Sequence, residues 1–255
     1  MKNILIAGGS SGIGRMIALS MVKKGFIVTV IARDVDKLRN LEGEASKFGQ
    51  LTGFSVDVNN DDELDFFLLK QCPESIDVLI NCIGGIYNLF GDFESISIDQ
   101  WREAFNINMF LPVKIIQALL PNLRKGTEPL VVNISSLAGE RPGKFNPHYG
   151  ASKAAMNYLT RYLAKNLGKY SIRCVAVSPS TLDDETLTND ASDYARKNNE
   201  LVEDVRKRFV REAKNKNPLN RIGRIEEVVK MVMFLVSGVP SINGTILLMD
   251  SGEMA

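Results

Sequence analysis

A regular alternation of short apolar runs with longer helical segments is the feature that most constrains the fold of this chain. Several apolar runs are continuous rather than alternating, as in Ile27-Val28-Thr29-Val30-Ile31. Such strands are usually buried on both faces, in a parallel sheet that helices cover. The alternation therefore predicts a Rossmann-type, doubly wound α/β fold with a seven-stranded parallel sheet and helices on both faces.

The element boundaries follow from the same pattern. The predicted strands cover residues 3–7, 27–32, 51–56, 77–81, 130–134, 172–177 and 245–249. The predicted helices cover residues 13–24, 35–48, 61–70, 99–123, 149–167 and 225–236. The polar segment 182–217 interrupts this rhythm, and we expect it to be a helical insertion between the last two strands. Together the elements predict a single domain over residues 1–255, with a substrate lid at residues 180–217.

Composition and charge exclude several classes of protein. A chain of 255 residues with 45% hydrophobic and 24% charged residues is typical of a soluble globular protein. The 31 basic and 30 acidic residues give no electrostatic reason to expect nucleic acid or an anionic membrane as partner. With 3 cysteines and 1 histidine, neither a disulfide scaffold nor a metal site is expected. The first apolar run ends at Gly8, too soon for a signal peptide or membrane span, so we expect a cytoplasmic protein.

A glycine-rich segment joins the first predicted strand to the first predicted helix. Glycines there permit positive φ angles, and they let a pyrophosphate approach the backbone closely. The helix N-terminus adds unpaired N–H groups and a dipole that favours an anion. An ordinary tight turn is the alternative. In this position the segment predicts a dinucleotide site formed by Gly8, Ser10, Ser11, Gly12, Ile13 and Gly14.

The end of the second predicted strand indicates which dinucleotide binds. Arg33 stands where an acidic residue would bind the adenosine ribose hydroxyls of NAD. A guanidinium at that position suits the 2′-phosphate of NADP, which it can bind bidentately. We therefore expect NADP(H), and Asp34, the next residue, keeps NAD as the alternative.

Other polar side chains follow the ends of predicted strands. We expect Asp57 and Val58 to contact the adenine, although Asp57 could instead cap the helix that begins near Asp61. In open α/β sheets, ligands bind beyond the carboxyl ends of the strands. The residues that this rule brings to one edge are Gly8, Arg33, Asp57, Asn81, Ser136 and Pro179.

Ser136, Tyr149 and Lys153 form a group that can move a proton to or from a carbonyl oxygen. On a helix, residues four positions apart share one face, so the Lys153 ammonium can lie beside the Tyr149 phenol. A free phenol has a pKa near ~10, and a neighbouring cation lowers that pKa toward neutrality. The Ser136 hydroxyl can then hold the substrate oxygen. A surface Tyr and Lys on an amphipathic helix are the alternative.

With these residues in order, the chain resembles the short-chain dehydrogenase/reductase family, in the compact branch that includes the 3-oxoacyl-acyl-carrier-protein reductases. The resemblance extends over residues 2–254. It implies a catalytic tetrad of Asn108, Ser136, Tyr149 and Lys153. In that scheme Tyr149 is the acid/base, Lys153 lowers its pKa and binds the nicotinamide ribose, and Asn108 supports a water chain for proton resupply. It also implies a homotetramer or homodimer.

The chain departs from the family pattern on the nicotinamide side. The family's Thr before the first glycine is Ala7, and its Asn-Asn-Ala-Gly stretch is replaced by Asn81-Cys82-Ile83-Gly84. The Pro-Gly after the sixth strand is Pro179-Ser180, and a later Thr that often contacts the carboxamide is replaced by Asp184, so that Thr181 or Thr186 would take its place. The resemblance thus adds Asn81, Gly84, Pro179 and Thr181 to the expected cofactor contacts.

The predicted function is NADP-dependent hydride transfer between the nicotinamide and a small carbonyl or alcohol substrate, with Tyr149 as acid/base. A redox-inactive NADP-binding regulator, and a lyase or epimerase that uses the cofactor transiently, are the alternatives. The run 204–211 could dock an acyl-carrier protein, or it could be a solvated helix face. We expect His148 to be a loop or pocket-rim residue rather than a base.

The loops 84–94, 137–147 and 180–217 are expected to wall the substrate pocket. Their aromatic and basic side chains favour a partly apolar carbonyl compound, with an anionic group as an option. These side chains are Tyr87, Phe90, Phe93, Arg141, Lys144 and Phe145.

Overall fold

Residues 1–86 and 90–255 are described by this computed structural model, and they contain one parallel sheet of seven strands. The strand order is β3-β2-β1-β4-β5-β6-β7. The strands are β1 (Asn3–Ala7), β2 (Ile27–Ala32), β3 (Leu51–Ser55), β4 (Val78–Asn81), β5 (Leu130–Ile134), β6 (Arg173–Pro179) and β7 (Ile246–Met249). The predicted fold class is confirmed, and three strands have the predicted bounds.

Helices cover both faces of the sheet. Those in the described ranges are α1 (Gly12–Lys23), α2 (Val35–Ala45), α3 (Asp61–Lys70), α4 (Ile98–Phe105), α5 (Leu111–Leu123), α6 (Pro147–Leu167), α7 (Glu185–Asn198), α8 (Val202–Lys216) and α9 (Ile225–Val236). The helical insertion expected between the last two strands is α7 with α8. The predicted helix 35–48 is shorter in the structure, because α2 ends at Ala45.

The strand order reverses at β1. This strand pairs with β2 on one side and with β4 on the other. The chain moves outward from β1 to β3 and then returns across β1 to begin β4. The loops after β1 and β4 therefore diverge at the carboxyl edge of the sheet and leave a crevice between them.

Both faces of the sheet are buried, which explains the continuous apolar runs. Along β1, Ile4 and Ile6 join the core beneath α1, α2 and α9, whereas Leu5 and Ala7 join the core beneath α3, α5 and α6. All four side chains are at most 1% exposed. A fully buried aliphatic side chain contributes ~1.5–3 kcal/mol, so both faces of the sheet add to the stability of the fold.

The predicted helix 99–123 is interrupted by a π-helical turn at Asn106–Phe110. There the N–H of Leu111 bonds to the carbonyl of Asn106, five residues earlier. Pro112 follows and has no N–H for the usual helical bond, which favours the wider turn. The prediction of one regular helix was therefore wrong at its centre.

The stretch Ile98–Leu123 is long and apolar enough, by length and composition, to cross a membrane. Core helices of soluble proteins share both properties. In this fold α5 packs its apolar face against the sheet, with Ile115 and Leu119 at most 1% exposed. The packing is that of a core helix.

A buried polar clasp ties β4 and β5 to α6. The amide of Asn81 donates to Asn133 Oδ1 at 2.8 Å, and the amide of Asn133 donates to Thr160 Oγ1 at 2.9 Å. All three residues are at most 2% exposed. The clasp pairs the amides of Asn81 and Asn133, which the apolar sheet would otherwise leave without acceptors.

We expect Asn133→Ala to lower the free energy of unfolding by about 2–4 kcal/mol, because Asn81 and Thr160 each lose a buried partner. Urea denaturation of both proteins measures the difference. Asn198→Ala is the control, since Asn198 is exposed on α7 and its amide bonds only to a backbone carbonyl there. A loss below about 0.5 kcal/mol in Asn133→Ala would show that the clasp does not stabilise the sheet.

Candidate active site

A cavity of about 1910 Å³ opens at the carboxyl edge of the sheet. Its walls come from the ends of β1, β2, β4, β5 and β6, together with α6 and the insertion. It brings together most residues predicted from the sequence: Gly8, Ser10, Ser11, Gly12, Ile13, Gly14, Arg33, Asp57, Val58, Gly84, Ser136, Tyr149, Lys153, Pro179 and Thr181. Asn81 and Asn108 do not line it.

The glycine-rich segment makes the closest backbone contacts of the cavity. Gly8 has a φ of +80°, and a Cβ there would lie 2.9 Å from the carbonyl carbon of Cys82. A Cβ on Gly14 would lie 2.4 Å from the carbonyl oxygen of Gly8. Ser11 precedes α1 without capping it through its side chain, so the first-turn N–H groups can receive an anion. These features fit the pyrophosphate of a dinucleotide.

The end of β2 presents two cations to the cavity. Arg33 is exposed there, and Lys37 lies in the same wall. Asp34 instead caps α2, because its Oδ1 accepts the N–H of Lys37 at 2.9 Å, and its carboxylate lies 3.8 Å from the Lys37 ammonium. The acid that would favour NAD is thus engaged in the helix cap.

Asp57 lines the cavity in a tight turn. Its Oδ1 accepts the N–H of Asn59 at 2.9 Å. The cap of α3 is Asn60, whose Oδ1 accepts the N–H groups of Asp62 and Glu63. The alternative interpretation of Asp57 as the helix cap was therefore wrong.

Tyr149 and Lys153 lie together at the start of α6. The Lys153 Nζ atom is 5.7 Å from the centroid of the Tyr149 ring, and it donates to the carbonyl of Ile134 at 3.0 Å. Lys153 is 4% exposed, and burial lowers its pKa from 10.5 to about 8. The nearby Cys82 thiol stays protonated, because burial raises its pKa to about 12 despite the Lys153 charge.

Ser136 follows β5, and glycines hold its loop against α6. Its Oγ accepts the N–H of Ala138 at 3.2 Å. A Cβ on Gly139 would lie 2.7 Å from the carbonyl carbon of Lys153, and a Cβ on Gly150 would lie 2.9 Å from the carbonyl oxygen of Ala138. The loop and the helix therefore touch backbone to backbone, which fixes Ser136 relative to Tyr149.

Asn108 lies in the π-helical turn, is fully buried and holds the loop that follows β4. Its Oδ1 accepts the N–H of Gly85 at 2.9 Å, and its amide donates to the carbonyls of Gly85 and Ala104. A Cβ on Gly84 would lie 2.7 Å from Lys153 Nζ and 2.9 Å from Asn108 Oδ1. The side chains of Asn108 and Lys153 therefore both approach Gly84, where a larger residue would leave them no room.

Asn81 was predicted to contact the cofactor, but its side chain lies in the clasp with Asn133, behind the cavity wall. Side chains alternate along a strand, and the alternation in β4 directs Asn81 to the same face as Leu79, toward α6. The sequence placed Asn81 correctly at the end of a strand, but it did not show to which face of the sheet its side chain points.

An aromatic cluster joins the insertion to the rest of the cavity. It consists of Phe90, Phe145, Tyr194 and Phe209, with Tyr149 packed against it. The ring centroids are 5.0 Å apart for Phe90 and Phe145, and 5.6 Å apart for Tyr194 and Phe209. Because Tyr194 lies on α7 and Phe209 on α8, the cluster packs both helices against the cavity wall.

The sequence missed two members of the aromatic cluster, Tyr194 and Phe209. They are isolated aromatic residues in charged helices, and only their shared orientation links them. Phe93 was expected in the wall, but it is 75% exposed and does not line the cavity. Tyr87 lies outside the described residues.

His148 differs from its predicted setting. It is fully buried in α6, with its ring 6.0 Å from that of Trp101, so the pocket-rim prediction was wrong.

For the run 204–211, the sequence allows either docking or a solvated helix face. Three of its cations form ion pairs in or beside the insertion: Arg206 with Asp183, Lys207 with Glu203, and Arg208 with Glu200. These pairs are typical of a solvated helix face.

Comparison with known proteins gives the family. A model described as enoyl-(acyl carrier protein) reductase matches residues 7–253. L-xylulose reductase of Caenorhabditis elegans is 32% identical over 256 residues, which span 98% of this chain and 95% of that protein. The 7alpha-hydroxysteroid dehydrogenase of Bacteroides fragilis is 30% identical over 257 residues, which span 98% of this chain and 93% of that protein.

Solved structures share the fold over nearly the whole chain. Levodione reductase superposes with a TM-score of 0.88 at 22% identity, over 100% of this chain and 98% of its own. The NADP complex of Pseudomonas aeruginosa RhlG gives 0.82 at 25% identity, over 100% and 96%. The NADH-dependent reductase A1-R′ gives 0.81 at 23% identity, over 100% and 97%. The chain belongs to the short-chain dehydrogenase/reductase family, and it is an oxidoreductase of that family acting on alcohol or carbonyl substrates.

Proposed function

We propose that this protein is an NADP-dependent carbonyl reductase or alcohol dehydrogenase in which Tyr149 is the acid/base. The observation that carries the proposal is the Tyr149–Lys153 pair, which shares one cavity with the glycine-rich segment. A phenol and a buried ammonium beside a dinucleotide cradle suit proton transfer coupled to hydride transfer. The coarser conclusion, a nicotinamide-dependent oxidoreductase, agrees with the relatives.

The choice of NADP is supported by the charges at the end of β2. Arg33 lines the cavity and can meet a phosphate on the adenosine ribose, and Lys37, whose ammonium lies 3.8 Å from the Asp34 carboxylate, adds a second positive charge to the same wall. Asp34, the residue that would favour NAD, caps α2 through its carboxylate. Relatives of this fold include structures with NADP and with NADPH as well as an NADH-dependent reductase, so the preference rests on these residues rather than on the family.

The proposed proton transfer uses Tyr149 and Ser136. A bound nicotinamide supplies the hydride to the carbonyl carbon, or accepts it in the reverse reaction. The Tyr149 O–H donates its proton to the carbonyl oxygen. The Ser136 Oγ accepts the N–H of Ala138, which leaves its own O–H to donate to the same oxygen. Two donors would then stabilise the charge that develops on that oxygen.

Lys153 and Asn108 are proposed to support this transfer. The buried Lys153 ammonium lowers the cost of negative charge on Tyr149 and can donate to the nicotinamide ribose. One of its protons is held by the carbonyl of Ile134, which fixes the direction of the others. Asn108 holds the loop at Gly84 and Gly85 against the ammonium.

The insertion, residues 180–217, is proposed to act as the substrate lid of a single domain. Its aromatic contacts with Phe90 and Phe145 support closure over Tyr149. The substrate is proposed to be a small carbonyl or alcohol compound. Docking of an acyl-carrier protein on α8 is disfavoured, because Arg206, Lys207 and Arg208 are already paired.

A cytoplasmic homotetramer or homodimer remains our proposal for the assembly. Exposed aromatic side chains on α6 and in the π-helical turn support association through that side. Phe110 is 57% exposed, Tyr158 72% and Tyr162 54%. A gel-filtration mass near that of a monomer would exclude it.

The primary test is an NADPH-oxidation screen over ketones, 3-oxoacyl thioesters and oxidised sugars. We expect stoichiometric oxidation with at least one class. Binding of NADPH without turnover of any compound would favour a redox-inactive regulator instead.

Tyr149→Phe should lower turnover by about 10² or more while leaving NADPH affinity nearly unchanged, because the variant loses only the proton donor. Steady-state kinetics and NADPH titration measure the two quantities. Tyr170→Phe is the control and should match the wild type, because Tyr170 is not in the cavity wall and its contact with Arg124 needs only the ring. Unchanged turnover in Tyr149→Phe would overturn the mechanism.

The pH dependence should report Lys153. Its pKa of about 8 means that the free protein holds the ammonium below about pH 8 and loses it above. Since kcat/KM for NADPH follows ionisations of the free enzyme, it should fall by about tenfold per pH unit above that value. Lys153→Met should have a low kcat/KM for NADPH at every pH, and it should not show the decrease above about pH 8. A wild-type profile that stays flat to about pH 10 would contradict the assignment.

Arg33→Asp should reverse the cofactor preference. The carboxylate repels the 2′-phosphate of NADP and can accept from the ribose hydroxyls of NAD. We expect NADPH to bind about tenfold or more weaker, and NADH to bind more tightly. Arg39→Asp is the charge-matched control, because Arg39 is exposed on α2 and pairs with Asp36. Tighter binding of NADH than NADPH by the wild type would exclude NADP.

A further inference from the structure

Asp190 lies on α7 in the wall of the catalytic cavity. It is half-buried, and it shares that wall with Tyr149 and Ser136. Tyr194, one helical turn later on the same face, belongs to the aromatic cluster. The cluster therefore anchors the part of α7 that carries Asp190 in the cavity wall.

The carboxylate of Asp190 differs from its acidic neighbours in lacking a partner among the described residues. Asp184 caps α7 by accepting the N–H of Leu187 at 3.1 Å, and Asp193 pairs with Arg196 at 2.7 Å. Both lie close enough to Asp190 for their charges to raise its pKa further, to about 7, after burial has raised it. A half-buried acid without a partner costs free energy in the protein alone.

The cations of the cavity do not compensate this carboxylate. Arg141 is engaged by Glu253, whose side chain is 8% exposed. Lys144 lies 5.2 Å from the Phe145 ring centroid, and Lys216 lines the cavity from α8, beside the further acid Glu212. The sequence-based option of an anionic substrate group was based on Arg141 and Lys144. With Arg141 paired and Asp190 unpaired, the cavity favours a hydrogen-bond donor instead.

We propose that Asp190 is a specificity residue that accepts a hydrogen bond from a hydroxyl group of the substrate, so that the protein prefers hydroxylated ketones. This inference depends on the proposed function, since it concerns the substrate of the same site. A hydroxyl supplies the donor that the carboxylate lacks, and it is neutral, so it is compatible with the apolar rings that line the same cavity. An ammonium shares the donor chemistry, and aminoacetone distinguishes it.

The test compares Asp190→Asn and Asp190→Leu with the wild type in NADPH-oxidation assays. The substrates are erythrulose and xylulose as hydroxylated ketones, butanone and pentanone as apolar ones, acetoacetate as the anion and aminoacetone as the ammonium. We expect kcat/KM for the hydroxylated ketones to fall by about tenfold or more, mainly through KM, and to fall most in Asp190→Leu. Values for butanone and pentanone should stay within about twofold. Glu203→Gln removes a charge from the exposed face of α8 and should behave as the wild type.

A stability measurement separates specificity from a structural role. Because the pKa of Asp190 is raised in the folded state, the folded protein binds the proton more tightly than the unfolded chain. The destabilisation that ionised Asp190 causes in the folded protein is therefore absent below about pH 4, and it reaches its full value above about pH 7. Asp190→Asn should raise the Tm near pH 8 and leave it unchanged near pH 4. A structural role predicts the opposite, a lower Tm together with an equal loss on all substrates.

The outcomes distinguish the two proposals. If the wild type and the variants all reduce butanone with NADPH, but the Asp190 variants lose activity equally on all ketones or on none, the specificity inference fails and the proposed function stands. A selective loss on aminoacetone alone would also overturn it, because the recognised group would be an ammonium. If the wild type oxidises NADPH with no compound in the panel or in the wider screen, the proposed function itself fails.

Discussion

The site depends on how the ammonium of Lys153 is buried. An isolated charge in this position would be costly, and the group is nearly inaccessible to water. The carbonyl of Ile134 at the end of β5 accepts a hydrogen bond from it and offsets part of that cost. Burial still disfavours the charged form of Lys153, and its pKa is lowered for that reason. A buried cation of this kind is available to act on Tyr149 and on a bound dinucleotide.

Small residues make that burial possible. Gly139 lets the loop after β5 touch the α6 backbone, and Gly84 leaves room for the Lys153 Nζ atom. The π-helical turn places Asn108 where its side chain holds Gly85. At the other end of the cavity, Gly8 and Gly14 likewise let two backbone segments approach each other closely. The two ends converge because both follow strands of one parallel sheet.

Much of this was predictable from sequence, since it depends on local pattern. Continuous apolar runs fix the strands, and the glycine-rich segment, Arg33 and the Tyr149–Lys153 spacing locate the cavity. What the sequence did not reveal depends on contacts between distant segments. Asn81 lies in the clasp with Asn133 of the neighbouring strand, and Tyr194 and Phe209 meet Phe90 from separate helices. Asp190 lies in the cavity wall because α7 packs through Tyr194 against aromatic residues from other parts of the chain, so no local pattern could reveal its position.

Hydride transfer is the central claim, and isotope labelling tests it most directly. The protein is supplied with a ketone and with NADPH that carries deuterium at the transferable position of the nicotinamide ring. The account predicts alcohol product with one deuterium on the carbinol carbon, and one NADP formed for each alcohol. Product without deuterium, or product formed while NADPH is not consumed, would contradict it and would indicate a lyase or epimerase that uses the cofactor transiently.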